Sequence, residues 1–221
     1  MIPLLFFKCY NNIIEKLLLK IFKKFLKKMI RIIAGTRKNR RILSLPFSHH
    51  VKPISARMRK SLFDILRPYI TGSIFLDLYA GIGVVGLEAL SRGSQKVVFV
   101  ENDIKCINTI KRNLNNLEFE NVAHVVKADV LKDLRFLKYY SQDGYDIVFM
   151  GPPYRDENNN MLSYTEPTLK NVVNGSLLSE YGIVIAQHHI KEKFSIPDKL
   201  IKFRSERYGD TIIDFFKQKS G

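Results

Sequence analysis

From residue 73 onward, short apolar runs alternate with longer segments whose apolar residues recur every three or four positions. The short runs predict buried strands at 73–79, 96–100, 122–127, 145–150 and 182–187. The longer segments predict helices at 83–92, 103–117, 130–139 and 165–173. In the first of these, Val84, Leu87 and Leu90 face inward and Gly93 supplies the stop. Strands that are apolar along their whole length, each followed by a helix, predict an α/β fold with a mostly parallel sheet covered on both faces. Two last runs, 199–207 and 211–216, flank Tyr208-Gly209-Asp210 and predict a terminal hairpin.

Upstream the pattern changes. Residues 30–34 and 41–45 are strand-like and flank the basic turn GTRKNRR, which predicts a β-hairpin. Residues 46–53 read as loop, and Ser55 as the cap of a helix reaching about Leu66. Residues 1–28 are rich in Leu, Ile, Phe and Lys, but no apolar run approaches the ~18 residues of a membrane span. They read either as a basic amphipathic helix over 13–28 or as an extension ahead of a start at Met29. The expected division is an extension (1–28), a basic hairpin and loop (29–54) and a catalytic-type domain (55–221).

Charge sharpens this division. The formal net charge of the 221 residues is +15. Residues 1–60 hold 16 Lys and Arg against the single acid Glu15, leaving 20 of each sign beyond. A neutral body behind a basic arm points to a polyanion held by the arm, either nucleic acid or an anionic membrane surface. Cys9 and Cys106 lie far apart, and neither they nor the five histidines show metal-ligand spacing. The expectation is a cytoplasmic, monomeric protein without a metal and without stable membrane insertion.

The strand SIFLDLY runs directly into AGIGVVGLEALSRG. Gly81, Gly83 and Gly86 at a strand-to-helix turn let a ligand approach the backbone. Asp77 just before them disfavours a pyrophosphate and suits the ammonium of an amino-acid ligand. Glu101 at the end of the next strand is spaced to accept from ribose hydroxyls, and Asp129 after the third strand to meet an adenine amine. A helix N-cap is the alternative reading of Asp129, and a solvated strand end that of Glu101. Three acids after three successive strands favour S-adenosylmethionine as the ligand, with Tyr79, Ala80 and Asn102 lining the same loops.

These residues, together with IRIIAGTRKNRRIL, KPISARMRKSLFDIL, VFVEND and DIVFMGPPY, make the chain resemble the bacterial methyltransferases that modify a guanine N2 of 16S ribosomal RNA. The resemblance covers about residues 29–216. It implies a class I, Rossmann-like fold with a seven-stranded sheet and an N-terminal hairpin that helps grip RNA. It also implies a guanine turned out of its stack and an acidic or amide residue, two prolines and an aromatic after the fourth strand. The corresponding positions are Gly151, Pro152, Pro153 and Tyr154, so the side-chain acceptor is absent. Backbone carbonyls at Gly151 and Pro152, with Asp156 or Asp146 as neighbours, are the remaining candidates. Arg31, Arg37, Lys38, Arg40 and Arg41, continued by Lys52, Arg57, Arg59 and Lys60, form the expected phosphate-facing surface. The partner implied is 16S ribosomal RNA or a small-subunit assembly particle. The alternative is a catalytically impaired RNA-binding or assembly factor on the same fold. A DNA N-methyltransferase is a third reading, but no segment is long enough for target recognition.

Overall fold

The computed structural model describes residues 30–45 and 54–219. The expectations for 1–28, for the loop at 46–53 and for Lys52 lie outside the described residues. Seven strands form one sheet in the order β3-β2-β1-β4-β5-β7-β6. They are β1 (Ile74–Leu78), β2 (Lys96–Glu101), β3 (Ala123–Lys127), β4 (Tyr145–Met150), β5 (Leu178–His189), β6 (Leu200–Tyr208) and β7 (Thr211–Gln218). The first five are parallel, and β7 runs antiparallel between β5 and β6. Successive strands step outward in one direction from β1 to β3, then in the other from β4. The order therefore reverses between β1 and β4, which is where open α/β sheets bind ligands.

Alternation along each strand builds two cores. Phe75, Phe99, Phe149 and Ile185 point to one face. They pack there against Leu62 and Phe63 of helix α1 (Ala56–Ile65), Leu87 of α3 (Val84–Ser91) and Ile110 and Leu114 of α4 (Ile104–Leu117). The short helix α2 (Arg67–Ile70) follows α1 directly and begins with a Pro in its first turn. Leu76, Val98, Val148 and Val184 point to the other face, with Leu169 and Val172 of α5 (Thr165–Asn174). Helix α3 is buried at all eight positions, because the sheet covers one side and the segment 30–45 lies near the other.

That segment departs from a regular hairpin. Only Arg31 and Arg41 form a ladder bridge. The N–H groups of Ile32, Asn39 and Ile42 still donate across the hairpin, to the carbonyls of Arg40, Ile32 and Ile30. The Glu88 carboxylate on α3 accepts from the backbone N–H groups of Ile33 (2.9 Å) and Ala34 (3.1 Å), which ties the segment to that helix. Ser91 holds the turn in the same way, taking the N–H of Thr36 on its carbonyl at 2.7 Å and that of Arg37 on its hydroxyl at 3.0 Å. A Cβ on Gly35 would lie 1.7 Å from the Ser91 carbonyl oxygen, so no larger residue fits this approach.

The expected helix at 130–139 is replaced by a turn and a short 3₁₀ helix, Arg135–Tyr139. Asn171 on α5 donates its amide to the carbonyls of Val130 (2.9 Å) and Lys132 (3.0 Å), which a helix would use internally. Asp133 caps the short helix through the N–H of Arg135. Strand β5 is longer than expected at its start. A register shift between Tyr145 and Ile147 lets Leu178 pair ahead of the main ladder.

Arg59 contradicts its sequence reading as part of the phosphate-facing surface. It is 2% exposed. It donates to the carbonyl of Arg31 at 2.6 Å and lies 3.4 Å from the Glu88 carboxylate. Arg92 completes the cluster, donating to Glu88 at 2.8 Å. Removing one partner of a buried ion pair leaves an uncompensated charge and costs about 3–5 kcal/mol. Glu88→Ala is therefore expected to lower unfolding stability by about that amount. The exposed Arg57→Ala should stay within about 0.5 kcal/mol. Urea unfolding followed by circular dichroism checks both.

Candidate cofactor and acceptor site

The site forms where β1, β2, β3 and β4 end. Asp77 is 1% exposed, and one of its carboxylate oxygens accepts the N–H of Gly86 at 2.9 Å. This bond ties β1 to α3. A Cβ on Gly86 would lie 2.3 Å from the Phe99 ring, so glycine allows the helix to approach β2. Burial pushes the Asp77 carboxyl up to about 7 against the Gly86 bond, and the nearby Glu101 charge adds to the rise.

Beyond β1 the chain turns through Tyr79, Gly81 and Gly83, all with positive φ. The Gly81 N–H donates to Glu101 at 2.7 Å. The second Glu101 oxygen accepts from the N–H groups of Asn102 (2.8 Å) and Asp103 (2.9 Å). Glu101 thus links the end of β2 to the glycine loop, with both oxygens oriented by backbone donors. Ala128 joins the third strand end to this group by donating to the Glu101 carbonyl at 3.1 Å. Asp129 accepts from the N–H of Leu131 at 2.9 Å within a turn, with no helix after it of the kind a helix N-cap would start. Its charge also reaches the Tyr79 phenol, which burial and neighbouring acids hold well above the ordinary tyrosine range.

Tyr79 and Tyr164 are parallel with ring centroids 6.4 Å apart, and the Tyr79 hydroxyl bonds to Thr168 at 2.7 Å. Sequence reading placed Tyr79 here but missed Tyr164 and Thr168. Both belong to the α5 region, whose inward face is set only by tertiary packing.

Gly151-Pro152-Pro153-Tyr154 continues from β4, and the Gly151 N–H approaches the Leu78 carbonyl at 3.4 Å. The Tyr154 hydroxyl accepts from the Gln187 amide at 2.8 Å and donates to Thr211 at 3.3 Å. Its ring meets His189 edge-on. Burial raises the Tyr154 phenol above its usual range, so it stays protonated at neutral pH. The two neighbouring acids are occupied elsewhere. Asp156 binds Asn160 through both oxygens. Asp146 accepts from Ile74 and Ser179 at the far end of β4.

Arg31, Lys38, Arg40, Arg41 and Arg57 are exposed, and Arg31 also donates to the carbonyl of Asn39 at 2.8 Å. Arg37 donates to the carbonyl of Leu117 and pairs with Glu118, both at 2.8 Å, and Arg40 donates to the carbonyl of Asn116. These two cations sit at the carbonyl end of α4, where the helix dipole favours them. Among the described residues, no group of three or more His, Cys, Asp or Glu could hold a metal ion. No described helix is long and apolar enough to cross a membrane.

The family model described as Conserved hypothetical protein 95 matches residues 30–217. YlbH of Bacillus subtilis, provisionally named an rRNA methyltransferase, is 31% identical over 193 residues, covering 86% of this chain and 100% of the relative. Ribosomal RNA small subunit methyltransferase D of Haemophilus influenzae is 39% identical over 128 residues, 57% of this chain and 64% of the relative. Among solved structures, yhhF of Escherichia coli, provisionally titled a methyltransferase, aligns with a TM-score of 0.70 at 26% identity. It covers 87% of this chain and 99% of that one. The fold is that of the class I, Rossmann-like methyltransferases, and the chain belongs to the Conserved hypothetical protein 95 family.

Proposed function

We propose that this chain transfers a methyl group from S-adenosylmethionine to small-subunit ribosomal RNA, at the exocyclic N2 amine of a guanine. One observation carries the reading. Asp77, the glycine loop, Glu101 and Asp129 lie along adjacent strand ends, directly beside the Pro152-Pro153-Tyr154 loop. The relatives named as ribosomal RNA methyltransferases support it.

In this reading Asp77 receives the ligand's ammonium, Glu101 its ribose hydroxyls and Asp129 its adenine amine. Tyr79, Ala80 and Asn102 line the pocket. The cofactor, when bound, supplies a methyl on a positively charged sulfur, which is already a good electrophile. What the chain contributes is alignment. A guanine amine is a weak nucleophile because its lone pair is delocalised into the ring. The carbonyls of Gly151 and Pro152 would accept its hydrogens, and the Tyr154 ring would stack on the base. Arg31, Lys38, Arg41 and Arg57 would meet phosphates, giving affinity and orientation rather than sequence choice.

The absence of a side chain at Gly151 favours a second reading, a binding or assembly factor with impaired turnover. The space there is not closed. A Cβ would lie 3.1 Å from the edge of the Phe149 ring, which needs to give only a few tenths of an ångström. Full-length protein with labelled S-adenosylmethionine and undermodified small-subunit particles separates the two. Label recovered as N2-methylguanine is expected. Label transferred only by Gly151→Asp would favour the binding factor.

Two further outcomes are expected. A carboxylate binds an ammonium only when ionised, so S-adenosylmethionine affinity should rise between pH 5.5 and 7, by roughly tenfold overall. Asp77→Asn should bind weakly and without that dependence, by isothermal calorimetry. Replacing Lys38 or Arg41 with Gln should reduce the slope of log affinity against log salt by about 1 each, uniformly across RNA sequences. Filter binding over a salt series reads this.

A further inference from the structure

We infer that Gln187 supplies the side-chain acceptor that the loop after β4 lacks, its amide oxygen taking a hydrogen of the substrate amine. The inference rests on the proposed amine methylation and assigns that reaction a residue outside the motif.

Four observations converge on this residue. The β4–β5 ladder ends with Met150 paired to Ala186, and Gly151 and Gln187 are the residues that follow this last pair. Alternation puts Gln187 on the face of Ile183 and Ile185, which is the face of Phe149 and of any side chain at 151. Among the described residues, the buried Gln187 Oε1 atom has no hydrogen-bond partner. Finally, Tyr154 fixes the amide's orientation. Its hydroxyl accepts from Gln187 Nε2 at 2.8 Å and contacts the Thr211 hydroxyl at 3.3 Å, an arrangement that turns Nε2 toward the ring and Oε1 away from it. A buried acceptor without a donor is destabilising, and such exceptions call for a reason. An arriving amine hydrogen supplies one. The unpaired oxygens of Thr165 and Asp214 do not compete for this role. Asp214 pairs in register with Ala186 and faces the opposite side of the sheet, against His188 and Lys202.

Accepting one amine hydrogen at Gln187 and the other at a loop carbonyl turns the nitrogen lone pair out of conjugation. That pair forms the new N–C bond as the S–C bond breaks, and sulfur keeps the electrons of the broken bond. The proton released from nitrogen passes to water.

The test uses the full chain with small-subunit particles, and S-adenosylhomocysteine calorimetry as a check on folding and cofactor binding. Gln187→Leu is expected to lower kcat by ~10²–10³-fold, with KM for the particle and cofactor affinity within about twofold. Gln187→Leu combined with Gly151→Asp should recover kcat to within about tenfold of the parent, since an acceptor returns to the same face. Gln187→Glu, which keeps an acceptor oxygen, should retain most of kcat. Tyr154→Phe, which cuts the hydroxyl link but keeps the ring, should lose less than about tenfold.

An unchanged kcat in Gln187→Leu overturns the inference. So does an equal loss in Tyr154→Phe without recovery in the double variant, which would make Gln187 a support for Tyr154. If the parent transfers nothing and Gly151→Asp alone does, the Gln187 assignment fails together with the reading of the parent as an active enzyme, whereas an unchanged kcat in Gln187→Leu sinks the assignment alone. If neither transfers to any ribosomal RNA, the proposed function itself fails.

Discussion

The structure depends on a carboxylate buried inside its cofactor helix. Glu88 lies in α3 with no exposure at all, and it is satisfied entirely by other parts of the chain. Two backbone N–H groups come from the basic segment and one guanidinium from Arg92 just past the helix, and the Arg59 guanidinium of α1 lies 3.4 Å away as an ion-pair partner. A carboxylate cannot be buried cheaply unless donors surround it. These partners come from three separate stretches of sequence, so satisfying Glu88 fixes the relative positions of all three. The segment 30–45 is thereby held against the helix that begins at the glycine loop.

That arrangement gives the basic residues two kinds of work. Arg59, Arg37 and Arg40 spend their hydrogen bonds on the protein, at Arg31, at the end of α4 and at Glu118. Their charges hold the basic segment in place. Arg31, Lys38, Arg41 and Arg57 remain exposed to solvent. The backbone of the basic segment is thus held at a fixed position relative to α3 and the glycine loop. Rigidity lowers the ordering cost of binding.

The reaction end of the site shows a comparable division between strand and loop. Pro152 and Pro153 restrict the path after β4, and Tyr154 is anchored by partners on β5 and β7. The antiparallel β7, inserted between β5 and β6, brings Thr211 to this point. Without it the Tyr154 hydroxyl would have only Gln187. The terminal hairpin therefore bears on the site as well as closing the sheet edge.

Much of this was legible in the residues themselves. Apolar runs of strand length, broken by amphipathic helices, specify a parallel α/β sheet, because only that architecture buries both faces of such strands. Asp77, Gly81, Gly86 and Glu101 were readable because the strand-to-helix turn is local, and the backbone demands of such a turn are written in adjacent residues. The helix expected at 130–139 was not legible correctly. Its propensity was overridden by Asn171, about 40 residues away, which captured its carbonyls. Arg59 looked like one more surface cation in a basic run, since a charge count carries no information on burial. Gln187 looked like the polar end of an apolar strand. Only strand pairing set both it and Gly151 just after the last β4–β5 pair. The sequence by itself determined which segments fold and where a ligand loop forms, because those follow from local periodicity and turn chemistry. The tertiary structure alone decided which polar groups satisfy one another, because hydrogen-bond partners far apart in the chain meet only once the sheet is assembled.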